Sequence, residues 1–498
     1  MLRRLGTCAV ALSLAVVGMV PAAQAVPPSA PAPSRVHIDW HACVELAGWR
    51  CGTLNVPLDW ADSGQNSAGV ARIEFAVKRA SGARIGALTV ARGGPGVGGL
   101  QGAADWHARL PGSIRERFDV VAWDPRGVGA STPRVRNCAN PALQPMKLPA
   151  TGPVDWLAVT QRQEVDTAAA LRPCWRRNQS IAPYLGSAYV VQDLDALREA
   201  LGYKRWSFYG ESYGALIGYR SARAYPDRVR ALVLDGAYDP NMTLAEQTAG
   251  ESGASAYAQS VFGHIAGDVV AVRLNRVVRA LDTRSVVLDG KRMTRWDVLP
   301  AIFTPMSQQS AYPDIIAVIN ATHGVLFGRA SQAEQRRARS IIEGRATHSE
   351  RHNATAAMIT CADLPERPTA EQTASAAQAA EQASSVAAGH AAVVRGTMCT
   401  GLPARIGPVN APLVDDLTLP SGPLVVTSLG DPKAPWAGAR TMASYLTGAS
   451  LITYNGTQHG LWRSLASPCI NRPIERYLLD MTGPASRTCP DAPVRDRS

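Results

Sequence analysis

The pentapeptide Gly210-Glu211-Ser212-Tyr213-Gly214 sets a serine between two glycines in the spacing G-x-S-x-G. That spacing suits a hydroxyl held at strained backbone angles on a tight turn and aimed at a carbonyl carbon, with small flanking residues letting neighbouring backbone pass. A serine hydroxyl is a weak nucleophile, so it needs a base to take its proton and a carboxylate to orient that base. Around strand-turn-helix elbows of this kind the partners follow in the order serine, acid, histidine. Of the nine histidines, His37, His41 and His107 precede Ser212, while His264, His323, His348, His352 and His390 fall in a stretch of different character described below. His459, in NGTQHG directly after the strand-like LITYN, is the remaining candidate base. Asp431, which follows the strand-like LVVTSL in LGDPKAPW, is the candidate acid. Its carboxylate also suits capping of the turn it opens, and the two roles are compatible. Asp415 and Asp416 precede that strand rather than end it and are less suitable.

The oxyanion formed by such an attack needs backbone donors. The amide of Tyr213, next after the serine, is one, and a glycine-rich loop after an earlier strand supplies the other. In RGGPGVGG the loop offers Gly93 or Gly94, since Pro95 has no N–H, and Gly93 is favoured. The same loop could cradle phosphate, but the GxGxxG spacing with a ribose-binding acid is absent and no Walker lysine follows. GESGA at 250–254 lacks both the final glycine and a preceding strand. With no CxxC and no nearby His pair, neither a metal site nor another cofactor is expected.

These residues need elements to position them. Residues 71–78 alternate, with Ile73, Phe75 and Val77 on one face, as a half-buried strand does. Short apolar runs at 85–90, 118–123, 206–209, 231–234, 424–428 and 451–454 have the character of buried strands, and helical patterns at 190–201 and 213–225 lie between some of them. Strands alternating with helices predict an α/β fold with a mainly parallel sheet flanked by helices. Ser212, Asp431 and His459 then all follow strands, which places them at the carboxyl edge where such sheets bind ligands. The alternation stops near Pro240 and resumes near Pro423. The segment between is rich in Ala, Gln, Glu and Arg, with helix-like stretches at 331–345 and 370–388, and predicts a mostly helical insertion.

Residues 1–25 combine Arg3 and Arg4, an apolar run and the small-residue sequence Ala23-Gln24-Ala25, the pattern of an export signal peptide cut after Ala25. The rest of a twin-arginine signal is poorly matched, so a plain basic start is preferred. Residues 26–36 are proline-rich and read as a flexible leader. Cys8 departs with the signal, leaving an even set of cysteines bound for an oxidising compartment. They fall into successive pairs, Cys43 with Cys51, Cys138 with Cys174, Cys361 with Cys399, and Cys469 with Cys489, and this is the expected disulfide connectivity. Loss of the signal lowers the formal charge from +11 to +9, and the basic residues are scattered with no nucleic-acid motif, so no nucleic-acid partner is expected. No later stretch approaches the roughly 20 apolar residues of a membrane span. The expectation is a secreted protein, extracellular or associated with the cell surface, not inserted in a membrane, acting as a monomer on a peptide or small-ester substrate.

Longer stretches carry a resemblance. The RGGPG loop, FDVVAWDPRGVGAS at 118–131, DLDALREALG, GESYG, YPDRVRALVLDGAYDP at 225–240, the late GDP and QHG elements and the C-terminal cysteine pair resemble the secreted tripeptidyl aminopeptidase and prolyl aminopeptidase group of α/β-hydrolases. The resemblance covers most of the chain after the leader. It implies an α/β-hydrolase fold with a large helical cap, a triad of Ser212, Asp431 and His459, and hydrolysis from a free peptide N-terminus through an acyl-enzyme, releasing tripeptides or residues. An esterase or lipase-like hydrolase of small esters or secondary metabolites would use the same triad. On this frame residues 37–240 form the first part of the core, 241–410 the cap, and 411–498 the second part with its C-terminal disulfide segment. There are departures. The family's loop usually opens with Asn-Pro before GGPG and continues with Ser-Gly, whereas Ala91-Arg92 precede and Val97-Gly98 follow here; the usual DPxTP is DPKAP. Neither change removes a backbone donor or the carboxylate, and both bear on substrate choice. An aminopeptidase also needs a carboxylate for the substrate ammonium, and Glu211, Glu246, Glu251 and Asp363 are candidates by position.

Overall fold

The computed structural model describes residues 37–62, 68–136, 138, 146–346, 354–364, 366–408 and 417–491. The expected signal peptide and leader lie outside the described residues, as do His348, His352, Asp415 and Asp416. The described residues form twelve strands: β1 (Ile38–His41), β2 (Arg50–Pro57), β3 (Val70–Lys78), β4 (Gly86–Ala91), β5 (Phe118–Trp123), β6 (Trp206–Glu211), β7 (Val229–Asp235), β8 (Val286–Leu288), β9 (Lys291–Met293), β10 (Leu424–Ser428), β11 (Ser450–Tyr454) and β12 (Arg487–Cys489). Ten of them make one sheet in the order β1-β2-β3-β5-β4-β6-β7-β10-β11-β12, and β8 and β9 form a separate hairpin. From β5 to β12 each neighbouring pair is parallel, and β1, β2 and β3 add an antiparallel edge.

The central parallel strands β4, β5, β6, β7 and β10 are short apolar runs because both faces are covered, whereas β12 at the edge is a short, mostly exposed Arg-Thr-Cys. Along β6, Phe208 enters the core cluster under one face with Ile217 and Val425, while Tyr209 enters the other with Val233 and Val426. β2 has no such signature. RCGTLNVP mixes Arg, Gly, Asn and Pro with its apolar residues, yet it pairs residue by residue with β3, and the Cys43–Cys51 disulfide closes the turn that leads into it. All four cysteine pairs join as the sequence order suggests.

Between β7 and β10 the chain builds a second, mostly helical layer with its own core of Phe262, Leu274, Leu299, Ile302, Ile315 and Ile319. The expected stretch 370–388 is two helices, Ala370–Ala383 and Val386–Thr397, parted by Ser384 and Ser385 in non-helical conformations. Serine side chains compete with the backbone for hydrogen bonds and favour caps over helix interiors, which accounts for the break. The helix Trp156–Asn178, which precedes the serine elbow in the chain, also joins this layer: Trp156 Nε1 donates to Glu381 Oε2 at 2.6 Å, and the Trp156 ring packs on Gly389. Among the described residues no helix is long and apolar enough to cross a membrane.

The sheet order fixes where a ligand can sit. β4 is followed in the chain by β5 on one side of it, and β6 lies on the other side. The two connections diverge at this point, and the crevice outside the carboxyl ends of β4 and β6 is the switch point at which such sheets bind ligands. The glycine loop leaves β4 there, and Ser212 leaves β6 there.

Candidate active site

Ser212 stands between β6 and the helix Tyr213–Ala224 with φ 59° and ψ −120°, outside the helical region and unusual for a residue with a side chain. Such a conformation costs about 1–3 kcal/mol and persists only where its surroundings enforce it. Here the amide of Ser212 donates to Asp235 O at 2.8 Å, and its carbonyl accepts from the amide of Ala215 at 2.8 Å. The flanking glycines answer to close backbone approach. A Cβ on Gly210 would collide with the carbonyl of Gly214, and one on Gly214 with the carbonyl of Ala91 at the end of β4.

Gly93 lies against the serine. A Cβ placed on it would sit 2.7 Å from Ser212 Cβ and 3.2 Å from Ser212 Oγ. The glycine loop is held from below by Asp124, at the end of β5, whose Oδ1 accepts from the amide of Leu100 at 3.0 Å and whose Oδ2 accepts from that of Ala130 at 2.8 Å. Next to it, Arg126 is fully buried and paired with Asp193 through Nε–Oδ2 at 2.7 Å and Nη2–Oδ1 at 2.5 Å, tying the DPRG turn to the helix Ser187–Ala200. A narrow, mostly apolar cavity beside the loop is lined by Gly93, Val97, Leu185, Tyr213, Ile217 and Ile359, among others.

His459 reaches the elbow from the loop after β11. Its Nδ1 donates to Asp431 Oδ2 at 2.7 Å, and its amide donates to the carbonyl of Ser307 in the helical layer at 2.8 Å. Asp431 is buried and does two jobs: its other oxygen accepts from the amides of Lys433 and Ala434 at 2.9 and 3.1 Å. Residues adjoining the serine touch the imidazole loop. A Cβ on Gly236, the residue after Asp235, would lie 3.0 Å from His459 Cε1, and Gly460 packs on the Glu211 carboxylate. Burial disfavours the imidazolium, but the charge and hydrogen bond of Asp431 outweigh it, Glu211 adds to them, and the His459 pKa ends above its ordinary 6.5.

One carboxylate at this edge escaped the sequence reading. Asp235 ends β7 as Asp431 follows β10, so strand-end position alone does not separate them. The structure does. Asp235 Oδ2 accepts from Tyr209 Oη at 2.8 Å and from the amides of Leu461 and Trp462 at 2.7 and 2.8 Å, so this side chain holds the backbone just beyond His459, and its other oxygen has no hydrogen-bond partner among the described residues. Burial, the largest cause, pushes its pKa up to about 6 against the donors that stabilise the charge.

The four carboxylates considered for a substrate ammonium fall in different places. Glu246 is exposed and closes a capping box with Thr243. Glu251 is held by Arg395, with Nη2 at 3.0 Å and Nε at 3.1 Å from its two oxygens. Asp363 accepts from Tyr213 Oη at 2.6 Å and from Ser187. Glu211 is half-buried beside Gly460 and close enough to bias His459. Among the described residues no group of three or more His, Cys, Asp or Glu side chains is arranged to hold a metal ion.

Residues 90–296 match the family described as alpha/beta hydrolase fold, and residues 383–489 the family described as TAP-like protein. The chain has the α/β-hydrolase fold. Serine protease Hip1 of Mycobacterium tuberculosis is 28% identical over 487 residues, covering 90% of each chain. Tripeptidyl aminopeptidase of Streptomyces coelicolor is 32% identical over 219 residues, 42% of this chain and 39% of that protein. Carboxylesterase B of Mycobacterium tuberculosis is 27% identical over 481 residues, 89% of this chain and 88% of that protein. Together these matches make the chain similar to the serine peptidases of the α/β-hydrolase fold, the tripeptidyl aminopeptidases among them, and support a serine hydrolase.

Proposed function

We propose that the protein is an exported aminopeptidase that releases short peptides, tripeptides foremost, from free peptide N-termini, with Ser212 as nucleophile, His459 as general base and Asp431 as the carboxylate that orients it. The observation that carries the reading is the 2.7 Å bond between His459 and a buried Asp431 at an elbow where Ser212 is held at positive φ. The Nδ1–H donates a hydrogen bond to Asp431 and keeps its proton, which leaves Nε2 free to take the serine proton. Ser212 attacks the scissile carbonyl, and the amides of Gly93, or of Gly94 beside it, and Tyr213 stabilise the oxyanion. His459 then protonates the departing amine, and water releases the acyl group. Export is supported by the leader and by four disulfides, which persist in oxidising compartments. Cleavage from the N-terminus is supported by the TAP-like match and the aminopeptidase relative. Hydrolysis of tripeptide anilides with free and with acetylated amines tests it: free-amine substrates should be strongly preferred, and equal turnover of blocked ones would overturn it. A second reading, a hydrolase of small esters, is favoured by the carboxylesterase relative, and turnover of simple aliphatic esters with no measurable turnover of any free-amine peptide would establish it.

A further inference from the structure

We infer that Asp363, contributed by the helical cap, is a positioning residue for the oxyanion hole, acting through the phenol of Tyr213. The inference rests on the reading of Ser212 as nucleophile and of the Tyr213 amide as oxyanion donor.

Asp363 is the last residue of the helix Ala354–Asp363, far along the chain from the elbow, and it is buried. Its Oδ2 accepts from Tyr213 Oη at 2.6 Å. Its Oδ1 accepts from the amide and the hydroxyl of Ser187 at 2.9 and 2.8 Å and lies 3.3 Å from Arg220 Nη1. Arg220 also donates to the Ser187 hydroxyl. Tyr213 and Arg220 stand on one helix about two turns apart. A single cap carboxylate therefore grips the elbow helix at two levels and the first residue of the neighbouring helix Ser187–Ala200. One turn before Asp363, Ile359 enters the same core cluster as Tyr213, and the Cys361–Cys399 disulfide fastens this short helix to the chain beyond Val386–Thr397. The grip has a persistent donor, because burial, then the charge and hydrogen bond of Asp363, hold the Tyr213 phenol well above its ordinary pKa of 10.0.

The functional consequence comes from position. Tyr213 is the first residue after the nucleophile, and its ring and its amide share one Cα. Anchoring the ring from the cap leaves the amide little freedom to turn away from a developing oxyanion. In preorganised sites of this kind the loss of a whole donor costs about 10²–10³ in rate, so a donor merely loosened should cost about tenfold. Asp363 thereby makes correct seating of the cap a condition of fast turnover.

The test compares Tyr213→Phe, Asp363→Asn and the double variant, with kcat referred to active sites titrated by a fluorophosphonate so that unfolded protein does not count. The expected result is a fall in kcat of about tenfold for each single variant with KM within about twofold, and a matching loss of affinity for a peptidyl boronic acid. The double variant should be no worse than the worse single one, because both changes cut the same link. Unchanged kcat per titrated site in Tyr213→Phe, or losses that multiply in the double variant, would overturn the inference. Tyr213→Phe removes one oxygen and keeps the ring, so it decides the matter even where Asp363→Asn folds poorly. Ser212→Ala separates the two levels of argument. If it stays active, the nucleophile is misassigned; if it is dead while Tyr213→Phe is unaffected, only the role of Asp363 fails.

Discussion

Replacing Asp431 with Asn separates the two jobs of this carboxylate. Oδ1 holds the turn through the amides of Lys433 and Ala434, and Oδ2 holds the His459 ring. In the variant the amide oxygen can stay on the turn, which leaves the NH2 group facing Nδ1. The ring must then carry its proton on Nε2, the nitrogen needed to accept the serine proton. In triads of this type the wrong tautomer lowers kcat by about 10⁴, which is about 5 kcal/mol of barrier. The fold should lose little, on the order of 1 kcal/mol, because the turn bonds survive and one hydrogen bond changes polarity. The pH profile should change as well. In the wild type His459 is raised above 6.5, and the base must be neutral, so activity climbs with pH through a limb above that value. Without the carboxylate, burial becomes the dominant influence, and the residual limb should move below 6.5. Steady-state hydrolysis of a free-amine peptide anilide between about pH 5 and pH 9, with a thermal melt of the same samples, measures all three. Retention of more than about a tenth of wild-type kcat, or a limb that stays in place, would refute the assignment.

Two further outcomes are expected. Gly93→Ala should lower kcat by about 10²–10³ with little change in KM, because the new methyl would stand 2.7 Å from Ser212 Cβ and push the donor loop away; unaltered kcat would place the donor elsewhere. Asp235, with a folded-state pKa of about 6 against an ordinary 3.8, binds its proton more tightly when folded. Its contribution to stability is fully present below 3.8 and is lost as pH rises through about 6, on the order of 3 kcal/mol in all. Urea unfolding across that window should show stability falling in the wild type and a flatter course in Asp235→Asn; equal slopes would assign the effect to another group.

The centre of the parallel sheet was legible in the sequence because its strands are buried on both faces, and burial demands short apolar runs such as FDVVAW and LVVTS, whereas the mostly exposed edge strand β12, RTC, left no such mark. The same physics made the residues at their ends readable. A serine between glycines after one such run, and an Asp and a His after two others, share an edge whenever the strands run parallel. The antiparallel edge was less legible: β2 carries Arg50, Asn55 and Pro57, and its pairing with β3 comes from cross-strand register, which leaves no local mark.

Sequence by itself determined the chemical types and their order: a serine in a G-x-S-x-G turn, then a carboxylate and a histidine that each follow a strand-like run, and a glycine loop before them. Only the tertiary structure decided which carboxylate faces which partner. Asp235 and Asp431 both stand at strand ends, but three donors occupy one oxygen of Asp235 whereas Asp431 has an oxygen turned to His459. The packing of Trp156–Asn178 against the cap and the reach of Asp363 to Tyr213 likewise join segments far apart in the chain. Periodicity and spacing report on neighbours along the backbone, whereas a contact across about 150 residues exists only once the cores beneath it have packed.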